Sequence, residues 1–246
     1  MYLDKRIAVV IPALNEIGKI ESVIERIPRD LVDLIIVSDD GSSDQTRAAS
    51  ENLGAIVISN ELTQGVGLAI QRGYFRAAEM GAEIICVLAG NNKDYPENLL
   101  DIIEPIANDG YMMVQGSRYL HESSDFGPMP SYRILATKAI HPLLCSVRTR
   151  RKLTDTTNGF RAINSSILES SEINFLHPLL NKYAFEPYFL IKTIKLKKKF
   201  KEVSARKVYP EKKLGQTKMK PILGWWSILW PTIIPYFFER NLSSKR

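Results

Sequence analysis

Two adjacent carboxylates, Asp39 and Asp40, follow an apolar run in the segment VSDDGSSDQT at 37–46. Neighbouring like charges repel, so such a pair calls for donors close by, such as a nucleobase or a ribose. Gly41 lets the backbone approach a ligand, and Ser43 is placed to cap the helix that follows. A second polar cluster, Pro12-Ala13-Leu14-Asn15-Glu16, ends another apolar run. Read alone it is a helix start, with Asn15 as the cap and Glu16 at the positive end of the dipole. A third, Gln64-Gly65-Val66-Gly67, carries two glycines ahead of a helix and is a weak phosphate signal without dinucleotide-type spacing. From Lys192 to Lys220 the chain is strongly basic. Such a block suits phosphate, an anionic membrane surface or nucleic acid, while a solvated helix face is the plainer alternative. Few aromatics interleave with these lysines, which argues against a nucleic-acid partner.

The elements that must position these clusters follow from hydrophobic spacing. Apolar runs at 7–11 (IAVVI) and 34–37 (LIIV) predict strands buried within the sheet, and 55–59 and 84–88 (IICVL) predict two more strands. Helices are predicted over 15–27, 43–53, 67–80 and 96–107, with Ile20, Val23, Ile24 and Ile27 on one side of the first. Alternating strand and helix predict an α/β domain with a mostly parallel central sheet flanked by helices, a Rossmann-like arrangement. Ligands of such sheets sit beyond the carboxyl ends of the strands, where the polar clusters fall. Farther on, a strand at 112–116 leads into Ser117-Arg118, a helix is predicted over 131–144, a polar turn over 154–161 and a helix over 185–194.

The chain has 246 residues, 45% hydrophobic and 24% charged, with a formal net charge of +6. That composition excludes disordered and fibrous classes and suits one large α/β domain. Two cysteines, Cys86 and Cys145, are too few for a disulfide framework and read as buried thiols of a reducing compartment. Met1 to Lys5 runs straight into a strand without a cleavable leader, so a cytoplasmic location is expected. The stretch WWSILWP at 225–231 is aromatic and apolar but short for a bilayer crossing of about 20 residues. Pro231, Pro235, three Trp and Tyr236 favour the interface, so 223–246 is read as a segment on a membrane surface, with docking on the domain's own core as the alternative.

Taken in order, the segments resemble family 2 glycosyltransferases of the GT-A fold, in particular the dolichol-phosphate mannose synthase group. Pro12 to Glu16 matches a P-x-x-N-E segment, VSDDGSSDQT a V-D-D-G-S-x-D-x-T nucleotide loop, and Gly65 to Ala77 a glycine-rich helix start. GSR at 116–118, NGFRAI at 158–163 and GQTKM at 215–219 match later segments. The resemblance implies a single catalytic domain over 1–222 that takes a sugar from a nucleotide-diphosphate donor and inverts the anomeric centre. It implies Pro12, Asn15, Glu16, Asp39, Asp40, Gly65, Gly67, Asn91 and Lys93 around the donor. Arg118, Arg133 and Lys218 would gather around phosphate.

One departure stands out. The family holds Mg²⁺ or Mn²⁺ with a D-x-D at the end of the fourth strand; here Pro96-Glu97 fixes the alignment and places Ala89-Gly90-Asn91 there. A hard cation prefers anionic oxygen ligands, and Lys93 lies close by, so the change disfavours a divalent ion. Three readings remain: a weaker metal site of Asn91 and Asp94, direct neutralisation of the diphosphate by Lys93, or nucleotide-sugar binding without transfer. For the acceptor, a polyprenyl phosphate needs positive charge, supplied by Arg118, Arg133, Arg161, Lys212, Lys213 and Lys218. A glycan hydroxyl would need a base, for which Asp155 is the candidate. The expected place of work is the cytoplasmic face of a membrane.

Overall fold

The computed structural model describes residues 1–120, 126–127, 129, 131–209, 228–229 and 232. Lys212, Lys213, Lys218, the GQTKM segment and the tryptophans of the tail lie outside the described residues.

Seven strands form one sheet in the order β3-β2-β1-β4-β6-β5-β7. β1 (Ile7–Ala13), β2 (Leu34–Asp39), β3 (Ile56–Ser59) and β4 (Ile84–Val87) run parallel, as do β5 (Met113–Ser117) and β7 (Phe200–Ser204). β6 (Arg161–Asn164) is antiparallel to both of its neighbours. The helices are α1 (Ile20–Glu25), α2 (Thr46–Asn52), α3 (Val66–Glu79), α4 (Leu99–Asp109), α5 (Ser131–Leu135), α6 (His141–Thr149) and α7 (Phe185–Lys195).

Alternation along β1 decides the layers. Ala8 and Val10 enter one core with Ile70 and Tyr74 of α3 and Phe185 and Phe189 of α7. Ile7, Val9 and Ile11 enter the other with Ile20 and Ile24 of α1 and Ile102 and Ile103 of α4. Burying each such side chain contributes about 1.5–3 kcal/mol, which fixes the register of the central strand against slippage. Cys86 and Cys145 are free thiols inside these cores, and burial pushes Cys145 up to about 12.

Four expectations need correction. The first helix starts at Ile20 rather than at residue 15, because Asn15 adopts a left-handed φ of 50° and its side chain is engaged by the β2 turn. The predicted helix over 131–144 continues to Thr149 and contains a π-helical turn, Ala136–Ile140, between α5 and α6. The polar turn over 154–161 ends by entering β6, a strand of only four residues that has no periodicity long enough to announce it. Part of the basic block is β7, an edge strand with Lys201 in it, and charge on an edge discourages pairing with another chain. Lys199 and Lys201 stand over the Tyr111 ring at 4.9 and 5.7 Å, near the amino end of β7.

Candidate active site

Because β1, β2, β4, β5 and β7 run one way and β6 the other, one edge of the sheet collects the carboxyl ends of the former and the lead-in to the latter. Residues 12–16, 38–43, 88–94, 117–118, 154–160 and 205–207 meet there.

On the β1–β2 side the two turns are joined by hydrogen bonds. Asn15 N donates to Ser42 Oγ at 2.8 Å, Ser43 N to Asn15 Oδ1 at 2.8 Å, and Glu16 N to Thr46 Oγ1 at 2.8 Å. Neither Asn15 nor Ser43 is a helix cap; α1 and α2 begin after Lys19 and Gln45 without a side-chain cap. Asp39 accepts from Ser42 N and from the Ser42 hydroxyl. Asp40 accepts from Gln64 N at 2.9 Å, Gly65 N at 2.8 Å and Asn60 Nδ2 at 3.2 Å. The carboxylate pair is thus separated: Asp39 organises its own turn, and Asp40 holds the loop before α3. Glu16 lies behind them, with Oε2 at 3.2 Å from Lys19 Nζ.

The glycines read as a phosphate signal serve packing. A Cβ on Gly67 would stand 2.2 Å from the carbonyl oxygens of both Leu180 and Lys182, and one on Gly65 2.4 Å from that of Asn181. Leu68 N donates to Asn181 O at 2.9 Å, so the 180–182 backbone closes over this end of α3 where a phosphate would have to sit. Gly65 and Gly67 are small because another chain segment lies against them.

On the β5–β6–β7 side the charges are paired. Arg118 donates from Nε to Asp155 Oδ2 at 2.6 Å and from Nη2 to Asp155 Oδ1 at 2.7 Å, and its own backbone N reaches Oδ2 at 3.0 Å. Nη2 also meets Thr157 Oγ1 and Nη1 meets Tyr209 Oη, each at 2.6 Å. Burial alone would raise the Asp155 carboxyl, but the Arg118 guanidinium and the N–H donors of Arg118 and Thr157 outweigh it and hold Asp155 below the usual carboxylate range. Burial opposes the Arg118 charge, and Asp155 overcomes that as well, raising Arg118 well above its ordinary value. Asp155 is fully buried, with both of its oxygens engaged by Arg118. Arg161 is likewise withdrawn from the crevice: it is buried on β6, bonded to Glu186 Oε1 at 3.1 Å and to Asn158 O at 2.9 Å.

At the end of β4, Asn91 Oδ1 accepts from Lys93 N at 3.3 Å. Asp94 turns back, its Oδ2 accepting from Ala89 N at 3.2 Å. Its Oδ1 accepts from Lys207 Nζ at 2.5 Å, and the same ammonium reaches Asn158 Oδ1 at 3.0 Å. Asp94 and Lys207 also form an antiparallel bridge, and Val208 N donates to Lys93 O at 2.9 Å. Lys93 Nζ lies 5.7 Å from the Tyr209 ring centroid. Burial lowers the Lys93 ammonium, and the nearby charges of Lys207, Arg133 and Lys19 lower it further, against Glu16, which raises it. The charge of Arg133 is therefore felt at Lys93, and the backbone bridge at Asp94 brings Lys207 to the same loop.

Sequence reasoning missed Lys207, which stands just past a strand hidden inside the basic block. Its one available signal was Asp94, a carboxylate in a loop stripped of the two expected ones. The residues do not fit a hard divalent ion: Ala89 offers no ligand, Asn91 is turned onto its own loop, and Asp94 is held by an ammonium. Among the described residues no three His, Cys, Asp or Glu side chains are placed to hold a metal.

Known proteins bear on this site. Residues 8–171 match the model of glycosyl transferase family 2. UDP-N-acetylglucosamine–dolichyl-phosphate N-acetylglucosaminyltransferase of Methanococcus voltae is 31% identical over 187 residues, covering 68% of this chain and 72% of that one. Undecaprenyl-phosphate mannosyltransferase of Micrococcus luteus is 26% identical over 223 residues, 87% of each chain. In three dimensions, glucosyl-3-phosphoglycerate synthase from Mycobacterium tuberculosis, crystallised with Mn²⁺, UDP-glucose and phosphoglyceric acid, superposes with a TM-score of 0.68. It shares 25% identity over 97% of this chain and 80% of that one. The chain belongs to glycosyl transferase family 2 and is a glycosyltransferase of the GT-A fold.

Proposed function

We propose that this enzyme transfers a sugar, with inversion, from a nucleotide-diphosphate donor to a polyprenyl phosphate at a membrane surface. The observation that carries the reading is the division of the crevice: acid-bearing, hydrogen-bonded turns at β1 and β2, and the cations Lys93, Arg118 and Lys207 just past β4, β5 and β7, with Arg133 on α5. The nucleoside lies against the turns of Pro12 to Glu16 and Asp39-Asp40. The diphosphate extends past Gly90 and Asn91 toward Lys93.

The acceptor phosphate oxygen attacks the anomeric carbon from the face opposite the diphosphate. The bond from that carbon to the donor oxygen breaks, and the nucleoside diphosphate departs with the electron pair. A phosphate acceptor is already anionic, so the step needs alignment and positive charge rather than a base. The commitment of Asp155 to Arg118 agrees with that chemistry and speaks against a glycan hydroxyl as acceptor. Two relatives that use dolichyl and undecaprenyl phosphate favour the same class of acceptor.

The test is nucleotide release from UDP- and GDP-sugars with polyprenyl phosphate, with a soluble glycan, and with neither. Release that depends on the polyprenyl phosphate and yields a lipid-linked sugar is expected. Release with glycans alone would move the acceptor to a hydroxyl, and binding without release would mark a non-catalytic nucleotide-sugar binder.

Location on the cytoplasmic face is part of the proposal, with residues 223–246 as the contact. No helix among the described residues is long and apolar enough to cross a membrane. A chain truncated at Leu223 is expected to lose sedimentation with anionic liposomes while still binding donor; retained sedimentation would contradict this assignment.

A further inference from the structure

We infer that Lys207, seated between Asp94 and Asn158 at the end of β4, takes the divalent ion's place as a donor to the diphosphate, with Lys93 beside it supplying the net positive charge, so that transfer needs no divalent metal. This rests on the donor reading above and deepens it. The plainer account is an ion pair that merely ties residues 205–209 to the β4 loop. A simple tie, however, would balance its charges. Here Asp94 answers Lys207, and Lys93 is left beside Lys207, Arg133 and Lys19, with Glu16 as the opposing charge and that residue already bonded to Lys19. No acceptor for Lys93 Nζ is found among the described residues; it lies over the Tyr209 ring. Cations whose charges act on one another, partly out of water, repel unless an anion comes between them. A diphosphate is the anion the fold would bring to the carboxyl edge.

The substitution is also coherent in charge. Two carboxylates and a divalent ion sum to zero, and so do Asp94 and Lys207; Lys93 then adds one positive charge facing the donor. An ammonium held by two oxygens keeps a third N–H, and the two acceptors fix its place before the donor arrives. Asn158 is itself anchored, its Nδ2 donating to Gly116 O at 3.0 Å.

The experiment measures UDP and GDP binding by calorimetry and sugar transfer to polyprenyl phosphate, each in EDTA and then with Mn²⁺ or Mg²⁺ restored. Wild type is expected to bind and to turn over in EDTA within about twofold of its rate with metal. Lys207→Met alone would leave Asp94 buried and unpaired, so the double variant Asp94→Asn/Lys207→Met serves as the folded control, verified by its melting curve. It is expected to bind the better of the two nucleotides about 10- to 100-fold more weakly in EDTA. Wild-type binding or transfer lost in EDTA and restored by Mn²⁺ would overturn the inference while leaving the donor reading intact. A double variant that binds as tightly as wild type would do the same. Failure of wild type to bind either nucleotide under any condition would instead sink the donor reading, and this inference with it.

Discussion

The two ends of the crevice satisfy their buried acids by different means. At β1–β2, Asp39 and Asp40 are served by neutral donors: backbone N–H groups, a hydroxyl and an amide. At β4–β7, Asp94 and Asp155 are each served by a full cation. Neutral donors set the shape of a turn and leave its charge negative, which suits recognition of a nucleoside's donor groups. Ion pairs cancel charge locally and fix arginine or lysine heads in place, which suits phosphate. The first kind of end is robust to loss of one partner, whereas the second depends on both.

Removing one half of a buried pair sharpens that contrast most. Arg118→Ala strands Asp155 in the interior and is expected to cost about 3–5 kcal/mol in urea unfolding. Arg118→Lys restores the charge but not the two-pronged geometry, so recovery is expected to be partial. A loss below about 1 kcal/mol for Arg118→Ala would place this pair with exposed ones. At the other end, Gly67→Ala drives a methyl into the 180–182 backbone and is expected to lower stability by about 1–3 kcal/mol, seen as a drop in Tm. If Tm held while donor affinity fell, the glycine would belong to phosphate binding after all.

Asp40→Asn keeps the shape and loses the charge. It is expected to cost about 1–2 kcal/mol and to speed amide exchange at Gln64 and Gly65, whose N–H groups it holds. Unchanged exchange there would break the assigned role. The smallest effect concerns pH. Asp155 has a lowered folded value, so its contribution is present above the unfolded value of about 4 and fades as pH falls through the folded one. The urea midpoint of wild type is expected to drop as pH falls below about 4, with Asp155→Asn lacking that component. Parallel curves for the two proteins would contradict the pairing.

The same contrast explains what the sequence revealed. The β1–β2 end is written in contiguous residues: apolar runs ending in Pro12 to Glu16 and in Asp39-Asp40 can be placed by spacing alone. What spacing could not say is how the acids are satisfied, since the donors to Asp40 lie more than twenty residues downstream at Gln64 and Gly65. The other end is built from remote pieces. Arg118 meets Asp155 across 37 positions and Lys207 meets Asp94 across 113. Both contacts depend on β6 and β7, short strands inside a polar turn and a basic block, where charge hides the strand pattern. Asp155 was legible as a carboxylate near the site, but its partner decided its role, and a partner is a property of the fold. The departure at Ala89-Gly90-Asn91 was legible; the ammonium that stands beside it was not.

The central claim is that the carboxyl edge of the sheet cradles a nucleotide-diphosphate sugar across both ends of the crevice. Hydrogen–deuterium exchange with and without a saturating UDP- or GDP-sugar tests it most directly. Protection is predicted in residues 12–16, 38–43 and 89–94 and in the segment carrying Lys207, with the amino edge of the sheet unchanged. Protection confined to other surfaces, or no protection with any such sugar nucleotide, would contradict the account.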